Sequence, residues 1–187
     1  MKKMKNLFAL GLAVLLTGLA AQAAFAQGTD TRNINVSATV NASCNITAPA
    51  GGAAITMAFG IVDVIAAGGV NSQPTFTLQC NKGAAPVVSL NNGLNASGTQ
   101  KRMTDGTDFL SYSILVPSGV TTVSSGTCPA TIAAGTEWNA TGTLSVSGLY
   151  SASGGAHPII LCGRVETPQA SVGAGSYADT VLLTVTF

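Results

Sequence analysis

The sequence predicts an all-β domain, an antiparallel sandwich or a small barrel. Three features carry that expectation. Apolar and polar residues alternate with period two in several short runs, glycine-rich turn dipeptides separate the runs, and no convincing amphipathic helix follows residue 26. Only 8% of the 187 residues are charged, against roughly 25% in an ordinary soluble domain. So low a charge density, with 22 glycines and abundant Ser, Thr and Asn, suits short strands and tight turns better than solvated helices.

The elements follow in chain order. Residues 1–26 read as a signal peptide: Lys2, Lys3 and Lys5 form a positive start, Leu7 to Leu19 is apolar except for Thr17, and Ala24-Phe25-Ala26 is a small-x-small cleavage site before Gln27. The apolar run falls short of the ~20 residues that span a bilayer, so an uncleaved anchor is the weaker reading. Next, Ile34, Val36, Ala38 and Val40 alternate with Asn33, Asn35, Ser37, Thr39 and Asn41, the pattern of a strand with one apolar face. Phe76, Leu78 and Cys80 alternate with Thr75, Thr77 and Gln79. The stretch from Phe109 to Val116 is mostly apolar, with Tyr112 and Ile114 on one face, and 130–134 is the best candidate for a short helical turn. Pro158 to Val165 reads as one strand, Ile159, Leu161 and Gly163 against Ile160, Cys162 and Arg164. The last strand is the clearest: Val181, Leu183, Val185 and Phe187 on one face, Thr180, Leu182, Thr184 and Thr186 on the other. Gly51-Gly52, Gly68-Gly69, Asn92-Gly93, Asp105-Gly106, Ser118-Gly119 and Gly154-Gly155 mark turns. Neither a repeat nor a shift in composition divides the chain after the leader.

A leader implies export, and the cysteines fit an oxidising compartment. Cys44, Cys80, Cys128 and Cys162 are even in number, which favours two disulfides. Three connectivities are open; sequential pairing closes two loops of similar length, each stabilising by on the order of 3–4 kcal/mol. Zinc is a poor alternative, because no CxxC pair exists and His157 is the only histidine.

Charge and motif content exclude several function classes. A net charge of +1 supplies no basic surface for nucleic acid. Losing Lys2, Lys3 and Lys5 with the leader leaves the mature chain slightly acidic, and no later stretch is long and apolar enough to cross a membrane as a helix. Nucleophilic catalysis needs a base, and His157 sits before Pro158 in what reads as a Gly-rich turn. The carboxylates Asp30, Asp63, Asp105, Asp108, Glu137, Glu166 and Asp179 are scattered and read as surface groups. Gly173-Ala174-Gly175-Ser176-Tyr177-Ala178 matches a dinucleotide fingerprint in letters only, since it leads into the final strand and not into a helix. No catalytic residue, cofactor or metal is therefore expected. Residues 109–136 and 138–156 carry no charged side chain, a neutral surface better suited to packing against identical copies than to a lone soluble monomer.

The closing run Gly175-Ser176-Tyr177-Ala178-Asp179-Thr180-Val181-Leu182-Leu183-Thr184-Val185-Thr186-Phe187 resembles the G-x-Y-x-D-T-hydrophobic-T-V-x-F/Y ending of the spore coat protein U family, which includes subunits of archaic (Csu-type) chaperone–usher pili. The alternating strand before Cys44, the second cysteine Cys80, the pair Phe59-Gly60 and Gly163-Arg164-Val165 are similar too, while Cys128 and Cys162 are not a fixed feature of the family. The resemblance implies an incomplete immunoglobulin-like β-sandwich, completed by a donor strand from another subunit or from a periplasmic chaperone. It divides the chain into a signal peptide (1–26), a donor-strand segment (27–40) and a pilin domain (41–187). Ile34, Val36, Ala38 and Val40 are then the donor residues, and Val181, Leu183, Val185 and Phe187 line the acceptor groove. The implied partners are identical or related pilin subunits, the chaperone and an outer-membrane usher, giving a homopolymer secreted through the periplasm to the cell surface that serves attachment and biofilm formation. Two alternatives stand beside this: an eight-stranded outer-membrane β-barrel, since a strand ending in Phe also marks such barrels, and a monomeric secreted carbohydrate-binding or spore-coat sandwich.

Overall fold

A computed structural model describes residues 28–187; residues 1–26, read above as a signal peptide, lie outside the described residues. The chain divides into two units, Met1–Thr39 and Val40–Phe187. In the first, residues 28–39 form no strand and are exposed throughout, although their alternation predicts one. A strand is stable only when its backbone groups are paired, and none of these residues has a ladder partner among the described residues.

The second unit carries ten short strands: β1 (Cys44–Ala48), β2 (Gly68–Ser72), β3 (Thr75–Cys80), β4 (Val87–Leu90), β5 (Lys101–Thr104), β6 (Phe109–Leu115), β7 (Leu144–Ser145), β8 (Gly155–Ile160), β9 (Cys162–Thr167) and β10 (Leu183–Thr186). They form three antiparallel sheets in the orders β1-β3-β8, β10-β4-β7 and β2-β9-β6-β5. Among the described residues every sheet has two free edges, so the strands do not close into a ring and the barrel alternative is set aside. Among the described residues helix is confined to three single turns; that at Ile132–Ala134 matches the expected turn and is capped by Thr131 Oγ1, which accepts from Ala134 N. No helix among the described residues is long and apolar enough to cross a membrane.

The run read as one strand, Pro158 to Val165, is two. β8 pairs with β3, β9 pairs with β2 and β6, and the chain passes from one sheet to the other at Leu161. β2 and β3 make the same passage at Pro74, whose carbonyl accepts from Leu161 N at 2.8 Å. Two adjacent strands thus bend across the sandwich together, and the hydrogen bond between the bends satisfies backbone groups that neither ladder reaches.

One core results. Phe76 and Leu78 of β3, Val88 of β4, Ile159 of β8, Val165 of β9, Trp138 and Tyr150 are all fully buried in it. Each large polar ring is satisfied: Trp138 Nε1 donates to Val88 O at 3.0 Å and Tyr150 Oη donates to Leu78 O at 2.7 Å. Lys101, at the start of β5, is fully buried as well. Its ammonium donates to Glu137 Oε1 at 2.9 Å and to Trp138 O at 2.8 Å, so Glu137 is a structural partner and not the free surface group the sequence suggests. Disulfides join Cys44 to Cys80 and Cys128 to Cys162, the sequential connectivity.

Candidate functional site

β10 pairs with β4 along one side, Leu183 opposite Leu90 and Val185 opposite Val88, and has no neighbour on the other among the described residues. In an antiparallel pair the backbone groups of successive residues point to alternate sides. Asn91 N donates to Leu182 O and Leu94 N to Thr180 O, so the even-numbered residues face β4 and its following loop. The N–H and C=O groups of Val181, Leu183 and Val185 therefore face the unoccupied side.

Along that side runs a groove of about 620 Å³. Its second bank is the segment from Ala53 to Phe59, which belongs to no strand although Ile55, Met57 and Phe59 alternate inward. Ile46 of β1, Leu90, Met103, Tyr112, Ile114 and Leu161 form the floor. Two residues of the family-like motifs shape it. A Cβ on Gly163 would lie 2.3 Å from Met57 Sδ and 3.0 Å from Ser72 O, so the glycine leaves the space that the Met57 side chain of this bank occupies against β9. Phe59 stands with its ring centroid 6.0 Å from that of Tyr112, tilted, which spans the groove with two aromatic rings.

The mouth of the groove is fixed by Asp179. Its Oδ1 accepts from Leu94 N (3.0 Å), Asn95 N (3.2 Å) and Asn95 Nδ2 (3.0 Å), and its Oδ2 accepts from Tyr112 Oη at 2.7 Å. One carboxylate thus joins the approach to β10, the loop after β4 and the floor strand β6. A side chain at Gly93 would strike it: a Cβ there falls 2.0 Å from Asp179 Oδ2, at a φ of +89° that itself favours glycine. The sequence reading took Asp179 for a surface group, and the structure corrects this. Asp108 and Glu166 are likewise engaged, Asp108 Oδ2 accepting from Gly173 N and Glu166 pairing with Arg164.

Burial, with the hydrogen bond to Asp179 and the nearby negative charges, pushes the Tyr112 phenol well above its ordinary value; burial alone raises Tyr150 to about 12. Both shifts favour the neutral phenol in the fold, so the stability they confer is complete below the unfolded tyrosine pKa of about 10 and is lost as pH rises beyond it. Tyr112 is expected to contribute a loss of about 1.4 kcal/mol per pH unit above pH 10. Urea unfolding between pH 9 and 11.5 checks this: Tyr112→Phe lowers stability at neutral pH but flattens the alkaline slope, and an unchanged slope contradicts the assignment.

Of the groove residues expected from sequence, Val181 and Leu183 line the cavity, Val185 is half-buried against the core without lining it, and Phe187 is 54% exposed. Ile34, Val36 and Val40 are 86%, 88% and 82% exposed, and Ala38 is exposed too. Asn81 anchors the start of the domain, Nδ2 donating to Asn41 O and Oδ1 accepting from Ser43 N. His157 lies on β8 opposite Leu78, not in a turn, and stacks edge-on against Tyr150 at 5.2 Å. Among the described residues no three His, Cys, Asp or Glu side chains gather to hold a metal ion. Sequence reasoning missed the 53–59 bank and the Asp179 cluster; the alternation of Ile55, Met57 and Phe59 is the signal that finds the first.

The spore coat protein U domain family matches residues 30–184, nearly the whole described chain. The chain belongs to the spore coat protein U domain family. No curated protein sequence matches it. Among solved structures, this spore coat protein U domain is similar to a chain of the CsuC–CsuE chaperone–tip adhesion subunit pre-assembly complex, from archaic chaperone–usher Csu pili of Acinetobacter baumannii. Identity is 22% and the TM-score 0.46 over 80% of this chain, which spans 40% of that chain's length. It is also similar to a subunit of a chaperone–usher pilus whose structure addresses rod uncoiling, at 13% identity and a TM-score of 0.50, covering 86% of this chain and 96% of that one. The second likeness is one of fold: an immunoglobulin-like sandwich, here incomplete beside β10.

Proposed function

We propose that this chain is a structural subunit of an archaic chaperone–usher pilus and that it polymerises by donor-strand exchange. The observation that carries the reading is the open groove beside the unpaired edge of β10, in a chain whose own N-terminal segment is exposed and alternates Ile34, Val36, Ala38 and Val40 on one face. Such an edge exposes backbone donors and acceptors beside an apolar cleft, a template for a further strand. A strand entering it gains one backbone hydrogen bond per paired group, each worth about 0.5–1.5 kcal/mol net. Burial of each large apolar side chain adds about 1.5–3 kcal/mol. A periplasmic chaperone lends that strand first, an outer-membrane usher passes the subunit outward, and residues 28–40 of the next copy replace the chaperone's strand. The product is a homopolymer on the cell surface, serving attachment and biofilm formation. Family membership and the fold likeness support the same reading.

Val36→Asp tests it. A carboxylate carried into the groove loses hydration without gaining a partner, at a cost of several kcal/mol. Expected is loss of polymer while the chaperone-bound subunit stays folded and soluble, since position 36 lies outside the folded domain. Normal fibres from this variant would sink the donor assignment.

A further inference from the structure

We propose that the Tyr112–Asp179 hydrogen bond sets the register of the entering strand, by admitting only a small side chain at the position that Ala38 takes. The inference rests on the donor-strand reading above and adds to it which residue meets which. On the β10 side the groove runs from Tyr177 to Leu183, and its inward positions are Tyr177, Asp179, Val181 and Leu183. The donor face also has four positions, Ile34, Val36, Ala38 and Val40. Residues directly opposite one another in neighbouring strands share a face, so the two sets pair one to one.

Both sets are uneven at one place. Three donor side chains are β-branched and Ala38 is a single methyl. On the acceptor, Tyr112 Oη reaches across the floor to Asp179 Oδ2 at 2.7 Å, with the Phe59 ring packed on Tyr112. A β-branched side chain set on this bridge crowds two rings and desolvates a carboxylate while offering it no donor; a methyl group does neither. Antiparallel pairing of Ala38 with Asp179 puts Val36 at Val181, Ile34 at Leu183 and Val40 at Tyr177, which fills the groove and no more. Parallel pairing about the same point carries Ile34 to Gly175, beyond the groove, and leaves Leu183 uncovered. A slip of two residues either way brings Val36 or Val40 onto the bridge.

Two sets of variants read the register, all scored on the full chain assembled with its chaperone. Val36→Cys combined with Val181→Cys is expected to give a boiled, non-reduced ladder of disulfide-linked subunits. Val36→Cys with Leu183→Cys is expected to give less than a tenth as much. Ala38→Val, in the exposed segment where it leaves the acceptor fold untouched, is expected to slow assembly at least tenfold, and Val36→Ile to change it less than threefold. Stronger linkage through Leu183→Cys, or Ala38→Val assembling at the unsubstituted rate, overturns the register while leaving donor-strand exchange standing. Absence of SDS-resistant multimers from the unsubstituted chain overturns the donor-strand reading, and the register with it.

Discussion

Replacing Asp179 with alanine is expected to destabilise the domain by about 4 kcal/mol, the largest single-residue effect in the groove region. The carboxylate accepts four hydrogen bonds, and its removal takes from Asn95 N and the Tyr112 hydroxyl the one acceptor each has among the described residues, while Asn95 Nδ2 keeps Ala178 O at 3.3 Å. Leu94 N keeps Thr180 O as a second acceptor, so its loss is partial. Each buried donor left without a partner costs about 1–3 kcal/mol, and bonds to a charged acceptor stand at the upper end. Thermal unfolding of the subunit complemented by a peptide of residues 28–40 measures the effect. Asp179→Asn, which keeps one carbonyl oxygen for Leu94 and Asn95, is expected to lose about half as much. Equal losses in the two variants would mean that charge, not the geometry of the hub, is what matters.

Opening the Cys44–Cys80 bridge is the second large effect. It joins the first residue of β1 to the last of β3, directly opposite in the ladder, across 36 residues of sequence. Loop-closure entropy for that length gives about 4 kcal/mol, or a fall in melting temperature of about 8–16 °C for a domain of this size. Among the described residues β1 has only β3 as a ladder neighbour, and it carries Ile46 of the groove floor, so the paired Cys44→Ser and Cys80→Ser variant is expected to lose peptide affinity together with stability. Cys128–Cys162 closes a loop of similar length, 34 residues, but neither cysteine lines the groove. Its removal is expected to lower the melting temperature comparably and to leave peptide affinity within about threefold once measured below the transition. Equal affinity losses from the two bridges would contradict the placement of β1 as part of the floor.

Period-two alternation made β3 and the approach to β10 legible, because each has one face in the core and one outside it. Where both faces are buried or the strand changes sheet, the pattern fails for a physical reason. Ile159, Ile160, Leu161 and Cys162 are consecutive apolar residues because β8 and β9 belong to different sheets, and a local pattern reads them as one element. β2, with the sequence GGVNS, holds too little apolar surface to announce itself. Asp179 was unreadable as a hub because its partners Leu94, Asn95 and Tyr112 are remote in sequence and meet it only through the fold. A carboxylate beside a turn has the same local signature whether it is solvated or enclosed. The alternating N-terminal segment shows the converse case, a clear strand pattern without a strand, as the donor role proposed for it requires.

The most direct measurement is an unboiled SDS gel of protein sheared from the cell surface, run beside a variant lacking residues 28–40. Donor-strand exchange predicts a ladder of SDS-resistant multimers that collapses to monomer on boiling and is absent from the deletion variant. A single monomer band in both lanes, unaltered by heating, would contradict it and leave a monomeric secreted sandwich in its place.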